Sequence, residues 1–185
     1  MNRRTVTFAL AAAVLVGCST NVHFGSETPP GPEPKSPKAQ EMGQVAVLRA
    51  IGGSAVSGKV RVIDRGDGAS VLVSVINIPT RAYRLVFHER GNCTSPNGFS
   101  AGAPWQPAAA AAGKRAEDVL PVQYANAESI VEAETRIRGL HAMGPEGVAG
   151  RSVMLYAGPV VTVPRPDVPN AAIACGVFET ARSIF

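Results

Sequence analysis

From about residue 43 onward, the sequence predicts an all-β domain of about eight antiparallel strands, arranged as a sandwich or flattened barrel. Apolar and polar residues alternate with a period of two in several short segments, as they do in half-buried strands. Turns that contain glycine or proline separate these segments. The length of region 43–185 is normal for one domain with a core of its own.

The predicted strands follow one another at short intervals. Segment 44–51 ends at a Gly-Gly-Ser turn, and segment 56–64 alternates valines with polar residues. The Arg-Gly-Asp-Gly sequence at 65–68 predicts a hairpin, because glycine adopts positive φ at little cost. Segment 69–77, which is rich in Val and Ile, continues from that hairpin. The remaining strands are predicted at 81–89, 120–124, 129–138, 151–156 and 173–178.

The N-terminus has the features of a lipoprotein signal peptide. Two arginines precede an apolar run, 6–16, that is too short to span a bilayer but suits a signal-peptide core. The following Leu-Val-Gly-Cys fits a lipobox, so we expect residues 1–17 to be removed and Cys18 to be lipidated. Acyl chains on Cys18 would anchor the protein to a membrane of the bacterial cell envelope, at the periplasmic face or the cell surface. The alternative is an ordinary secretory signal with a chance cysteine.

The next region, 18–42, is predicted to be a tether. Its prolines favour extended conformations, which make a semi-stiff spacer between membrane and domain. The formal net charge is +4, and it falls to +2 when Arg3 and Arg4 leave with the signal peptide. There is no long Lys/Arg run and few residues are aromatic, so the sequence gives no support for nucleic-acid binding.

Two cysteines remain once Cys18 is lipidated. An even pair in an exported domain is expected to form a disulfide, which here would be Cys93–Cys175. It would join the long loop after the fourth predicted strand to the last strand. Two unrelated buried thiols are the alternative.

Four short motifs resemble the copper/zinc superoxide dismutase family in their order and similar spacing. They read F-H-E-R-G-N-C at 87–93, S-A-G at 100–102, G-R-S-V-M-L-Y at 150–156 and A-C-G-V at 174–177. The resemblance covers most of 43–180. It implies an eight-stranded Greek-key barrel with long loops and favours the disulfide. Because family members often dimerise, a homodimer is compatible with it.

The resemblance also implies where metal ligands would lie. His88 matches the second of two copper histidines on the fourth strand, but Val86 stands at the first. Pro104 replaces the histidine that bridges copper and zinc, and Tyr156 replaces the last copper histidine. Asp118 matches the zinc aspartate. His88 is therefore a candidate residual copper ligand and Asp118 a candidate residual zinc ligand.

Most of the family's metal ligands are missing. No histidine lies between residues 107 and 140, and no basic residue precedes A-C-G-V where the family has an anion-guiding arginine. Copper sites need several imidazoles and zinc sites need about four ligands, so zinc is not expected. We expect Val86, Trp105 and Tyr156 to fill the vacated cavity and His88 to be a hydrogen-bonded structural residue. The main hypothesis is an envelope lipoprotein without conventional dismutase activity that binds an unidentified envelope protein or has a structural role.

Two alternatives keep a metal. His141 and Met143 place an imidazole and a thioether close together, and together with Met154 and His88 they could form a low-coordinate copper(I) site. The simpler interpretation is that His141 lies in an exposed loop and that Met154 is a core residue. A true dismutase with an unrecognised ligand arrangement, or with ligands from a second subunit, is the other alternative. No other catalytic motif is present.

Overall fold

A computed structural model describes residues 43–79, 81–110, 113–158, 160 and 171–181. The predicted signal peptide, 1–17, and the tether region, 18–42, which includes Cys18, lie outside the described residues. Within these described ranges, no helix combines the length and the hydropathy that a membrane span requires.

The described residues form eight β-strands, with three short 3-10 helices in the connections. The helices are Phe99–Ala101, Ala108–Ala110 and Ala116–Asp118. The strands are β1 Gly43–Ala50, β2 Ser57–Arg65, β3 Gly68–Ile76, β4 Ala82–His88, β5 Gln123–Tyr124, β6 Val131–Arg138, β7 Ser152–Tyr156 and β8 Ala172–Thr180. The all-β prediction is confirmed, and so is the hairpin at 65–68, where Gly66 has a φ of 57°. The prediction of a strand over 120–124 was too long, because Pro121 cannot donate a ladder hydrogen bond.

The strands form one antiparallel sheet in the order β5-β4-β7-β8-β1-β2-β3-β6. β5 also approaches β6, so the sheet curls into a nearly closed barrel. Because β4 pairs with β7 and β3 pairs with β6, the chain passes between the two halves of the barrel after β3, β5 and β6. This is the Greek-key arrangement, and closure protects most of the strand edges.

The barrel interior is a single apolar core. Side chains that point inward are almost fully buried, and they come from both halves of the barrel: Leu48, Val60, Val71, Leu85, Phe87, Leu155 and Phe178. The strands differ in how they treat their outer face. On β6, exposed residues alternate with less exposed ones, whereas all five residues of β7 are buried. β7 is therefore covered on both sides.

The predicted disulfide is present. Cys93 and Cys175 are bonded, with their Cα atoms 5.8 Å apart, and they join positions 82 residues apart in the sequence. Cys175 lies on β8 and Cys93 lies at the start of the long loop after β4. The bridge therefore fastens that loop to the outer side of the barrel.

Candidate functional site

His88 is the last residue of β4, and its side chain points out of the barrel. Leu85 and Phe87 belong to the main core, whereas Val86 lies in a second buried cluster on the outer face. His88 and Val86 share that outer face because side chains alternate along a strand. His88 is nevertheless only 1% exposed. The protein itself must therefore cover this outer face.

The cover is the loop segment 93–104. Its backbone is hydrogen-bonded to the residues that follow β4. Glu89 N–H donates to the Ala103 carbonyl and Arg90 N–H donates to the Ala101 carbonyl, each with a nitrogen–oxygen distance of 3.0 Å. Gly98 lies directly on the Met154 side chain, where a Cβ atom would come within 2.1 Å of the Met154 methyl carbon. Because Gly98 also has a φ of 77°, only glycine suits this position well.

Both ring nitrogens of His88 are hydrogen-bonded. Nδ1 lies 2.9 Å from the Gly102 carbonyl oxygen, and Nε2 lies 3.0 Å from the Tyr156 hydroxyl oxygen. A carbonyl oxygen can only accept, so Nδ1 carries the hydrogen and donates it to Gly102. In the neutral imidazole Nε2 is then an acceptor, and the Tyr156 hydroxyl donates to it. This pairing fixes one tautomer of His88.

Burial keeps the pair uncharged. It lowers the pKa of His88, against the smaller opposing effects of the Gly102 hydrogen bond and the Glu89 charge. Burial also raises the pKa of the Tyr156 phenol above its ordinary value. Near neutral pH the imidazole therefore stays unprotonated and the phenol stays protonated, which is the arrangement that their hydrogen bond needs.

The surroundings of the pair are apolar and contain a thioether. The Tyr156 hydroxyl oxygen is 3.6 Å from Met154 Sδ, and the His88 and Tyr156 rings stack with their centroids 6.0 Å apart. Val86 lies opposite Met154 across the β4–β7 pair. The Cys93–Cys175 disulfide packs in the same cluster. We call the group of Val86, His88, Met154 and Tyr156 the outer cluster.

The four positions that the resemblance assigns to the copper side do come together. Val86 and His88 are on β4, and Tyr156, on the neighbouring β7, bonds to His88. Pro104 forms an isolated β-bridge with His88. Of these four residues, only His88 has a side-chain nitrogen, so the group supplies one imidazole where copper sites use several.

Asp118 is bound by two arginines. One carboxylate oxygen accepts from Arg84 Nη1 at 2.6 Å, and the other accepts from Arg115 Nε at 3.1 Å. The hydrogen bond from Arg115, followed by that from Arg84, holds the Asp118 pKa below its ordinary value. Arg84 was not predicted as a partner of Asp118. The one sequence feature that could have indicated this contact is the position of Arg84 on β4, two residues before Val86.

His141 and Met143 have partners other than those of His88. His141 is 41% exposed at its side chain, and its Nδ1 lies 3.7 Å from Asp64 Oδ1. Met143 Sδ accepts a hydrogen bond from Gln44 Nε2, with a nitrogen–sulfur distance of 3.0 Å. Across the part of the chain that the structure describes, no three His, Cys, Asp or Glu side chains are grouped so that they could hold a metal ion.

Trp105 does not fill the outer cluster, contrary to the expectation from sequence. It packs against the main core, with its ring edge-on to Phe87 at a centroid distance of 6.4 Å. The Arg151 guanidinium lies 3.8 Å from the centroid of the Trp105 ring. The reason is local, because Trp105 N–H donates to the Phe87 carbonyl and this ties the residue to β4 beside the core.

The outer cluster and Asp118 do not together fit a paired copper and zinc centre. One imidazole with both nitrogens in use and one aspartate bound by two arginines are far short of the ligands for two metals. What the cluster can do is hold a tyrosine, a histidine and a methionine rigidly beneath a disulfide-anchored loop.

Neither protein-family models nor curated protein sequences give a match to this chain.

Proposed function

We propose that this chain is a lipid-anchored protein of the bacterial cell envelope, built on a copper/zinc superoxide dismutase-type barrel with a replaced metal site. It acts by binding a partner or by a structural role, not by dismutation. The motifs at 87–93, 100–102, 150–156 and 174–177 support the family. The Greek-key strand order agrees with what that resemblance implies.

The hydrogen bond from the Tyr156 hydroxyl to His88 Nε2 carries the proposal. The remaining family imidazole directs its free lone pair at a phenol, while its other nitrogen donates to Gly102. A metal at Nε2 would have to displace the phenol from a buried site and leave its hydroxyl without that partner. Such an exchange is costly, because leaving a buried polar group unpaired destabilises the folded protein by about 1–3 kcal/mol.

The disulfide and the N-terminal pattern support the location. A Cys93–Cys175 bond is stable in an oxidising compartment, as outside the cytoplasm, and it is rare in the cytosol of ordinary bacteria. The apolar run and lipobox before Cys18 are typical of an exported lipoprotein. Both observations favour the extracytoplasmic side of an envelope membrane.

Metal retention tests the proposal. The full chain is loaded with copper and zinc, dialysed exhaustively, and analysed for both elements and for loss of superoxide. We expect neither stoichiometric metal nor metal-dependent dismutation. His88→Ala serves as the test variant and His141→Ala as the matched histidine control. About one copper per chain that is lost with His88→Ala but kept with His141→Ala would refute the proposal.

A copper(I)-binding function is the second candidate, and one observation favours it. The Tyr156 hydroxyl lies between His88 Nε2, at 3.0 Å, and Met154 Sδ, at 3.6 Å, so an imidazole and a thioether face one small space. Copper(I) accepts both donors. If this function is real, Tyr156→Phe should strengthen copper(I) binding in a competition with a chromophoric chelator, and Met154→Leu should abolish it. Binding that neither change affects would exclude this pair as the site.

A further inference from the structure

The outer face of strands β1, β2, β3 and β6 lies on the other half of the barrel. Val47 and Ile76 on this face are 48% and 45% exposed, which is high for aliphatic side chains in a sheet. The face is concave between β1 and β6, and both charged and apolar side chains line the depression. We call the residues Val45, Val47, Lys59, Arg61, Leu72, Ser74, Glu132 and Glu134 the open face.

Strand register orders the charges of the open face into two columns. One row across the sheet reads Val45, Arg61, Leu72, Glu134. The next row reads Val47, Lys59, Ser74, Glu132. Both basic residues are therefore on β2 and both acidic residues are on β6, with β3 between them.

Within the described part of the chain, the four charges have no ion-pair partner. Neighbouring strands are about 4.8 Å apart, so the two columns are separated by roughly 10 Å. Among the described residues, no ion pair involves Lys59, Arg61, Glu132 or Glu134. The open face therefore presents two cationic and two anionic side chains that can form ion pairs with another molecule.

We propose that the open face binds the open face of a second copy of this chain. A two-fold axis parallel to β3, passing over Leu72 and Ser74, places the β2 column of each copy over the β6 column of the other. Because the rows are in register, Arg61 then faces Glu134 and Lys59 faces Glu132 of the second copy. Four intermolecular ion pairs form, and the two Leu72 side chains face each other across the axis.

Charge complementarity is what favours a second copy over other occupants. Two positive and two negative groups give these four positions no net charge, so Glu132 and Glu134 would repel a polyanion or an anionic membrane surface. A second copy satisfies all four charges at once. The exposed Val47 side chain adds apolar area beside the basic column.

The dimer should be weak and sensitive to salt. The open face is four strands wide and a few residues long, which is small beside the roughly 800 Å² per partner of a standard interface. Its charges are near solvent, where salt screens them over a Debye length of about 8 Å at physiological ionic strength. The proposal does not depend on the state of the outer cluster or on metal content.

Sedimentation velocity on the full chain in detergent, at low and at high salt, tests the proposal with two charge-reversed variants. Variant one is Lys59→Glu with Arg61→Glu, and variant two is Glu132→Lys with Glu134→Lys. Each alone should weaken dimerisation by roughly tenfold or more, since every facing pair then becomes a like-charge pair. A mixture of the two variants should form a heterodimer, because the reversed columns again face opposite charges.

The control variant is Lys114→Glu with Arg81→Glu, which changes the net charge as much as variant one but lies off the open face. It should dimerise like the unmodified chain. If the unmodified chain stays monomeric at low salt, the proposal is overturned. That result would hold equally if the open face binds a different protein. A dimer that survives both reversals, or a mixture of the variants that stays monomeric, overturns it as well.

Discussion

The two halves of the barrel share one core, but the outer face of one half is covered by a loop and that of the other half is exposed to solvent. On β4 and β7 the outer residues Val86, His88, Met154 and Tyr156 are buried beneath a loop. On the other half, Val47 and its neighbours are left open to solvent. On the covered half, hydrogen-bond partners within the protein therefore set the state of a polar side chain such as His88. On the open half, side chains are free to meet another molecule.

The disulfide should matter most, because it holds the cover in place. Replacing Cys93 and Cys175 together with Ala releases a constraint over 82 residues of chain. We expect a loss of roughly 3–5 kcal/mol in the free energy of unfolding, measured by urea denaturation. Reduction of the unmodified protein is the matched control and should give a similar loss. A change below about 1 kcal/mol would show that the loop stays in place without the bond.

Truncation on each outer face sharpens the comparison directly. Met154→Ala opens a cavity under the loop and should cost about 2–5 kcal/mol. Val47→Ala, the counterpart on the open face, should cost no more than about 1 kcal/mol, from strand propensity alone. Thermal and urea unfolding measure both. Equal costs would mean that the covered face is not packed as described.

The Tyr156 hydroxyl should contribute a smaller but specific amount. Tyr156→Phe leaves His88 Nε2 buried without a donor, which should cost about 1–3 kcal/mol. Tyr124→Phe is the control, since Tyr124 is 72% exposed and should change stability little. If the two variants unfold alike, the hydroxyl makes no net contribution through this bond.

The smallest effect concerns pH. Because burial lowers the pKa of folded His88 below its ordinary value of 6.5, the unfolded chain takes up a proton first as the pH falls. Stability should therefore decline below about pH 6.5 and stop declining once the folded imidazole is also protonated. The lowered pKa values of Asp67 and Asp118 start from 3.8, so these groups do not act in this window.

His88→Asn removes the titrating group while keeping a donor for the Gly102 carbonyl. In denaturation midpoints between pH 7.5 and 5.5, the decline that the unmodified protein shows should be reduced in this variant. An unchanged decline would assign the effect to other groups.

The fold could be predicted because its signals are local. Period-two alternation located the strands, the glycines at 66 and 68 located the hairpin, and the even pair of cysteines indicated the bond. β5 was predicted too long because Pro121 had been counted within a strand. The strand and hairpin signals need nothing from distant parts of the chain, whereas the cysteine pair depends on a count over the whole sequence.

The candidate site could be predicted only in part. Alternation on paired strands is enough to place residues 86, 88, 154 and 156 on one face, with Val86 opposite Met154. It does not show that the Gly102 carbonyl and the Tyr156 hydroxyl occupy both nitrogens of His88, since that depends on the path of a long loop. The Arg84–Asp118 pair and the inward packing of Trp105 were missed for the same reason.

The most direct test of the central claim is the state of the His88 ring, observed by nitrogen-15 NMR of labelled full chain in detergent, with His88→Asn to assign the signals. We predict a neutral imidazole with its hydrogen on Nδ1, and with signals that copper and zinc leave unchanged. A His88 Nε2 signal that shifts or broadens with about one equivalent of metal would contradict the account, because it would make His88 a ligand and not a structural residue.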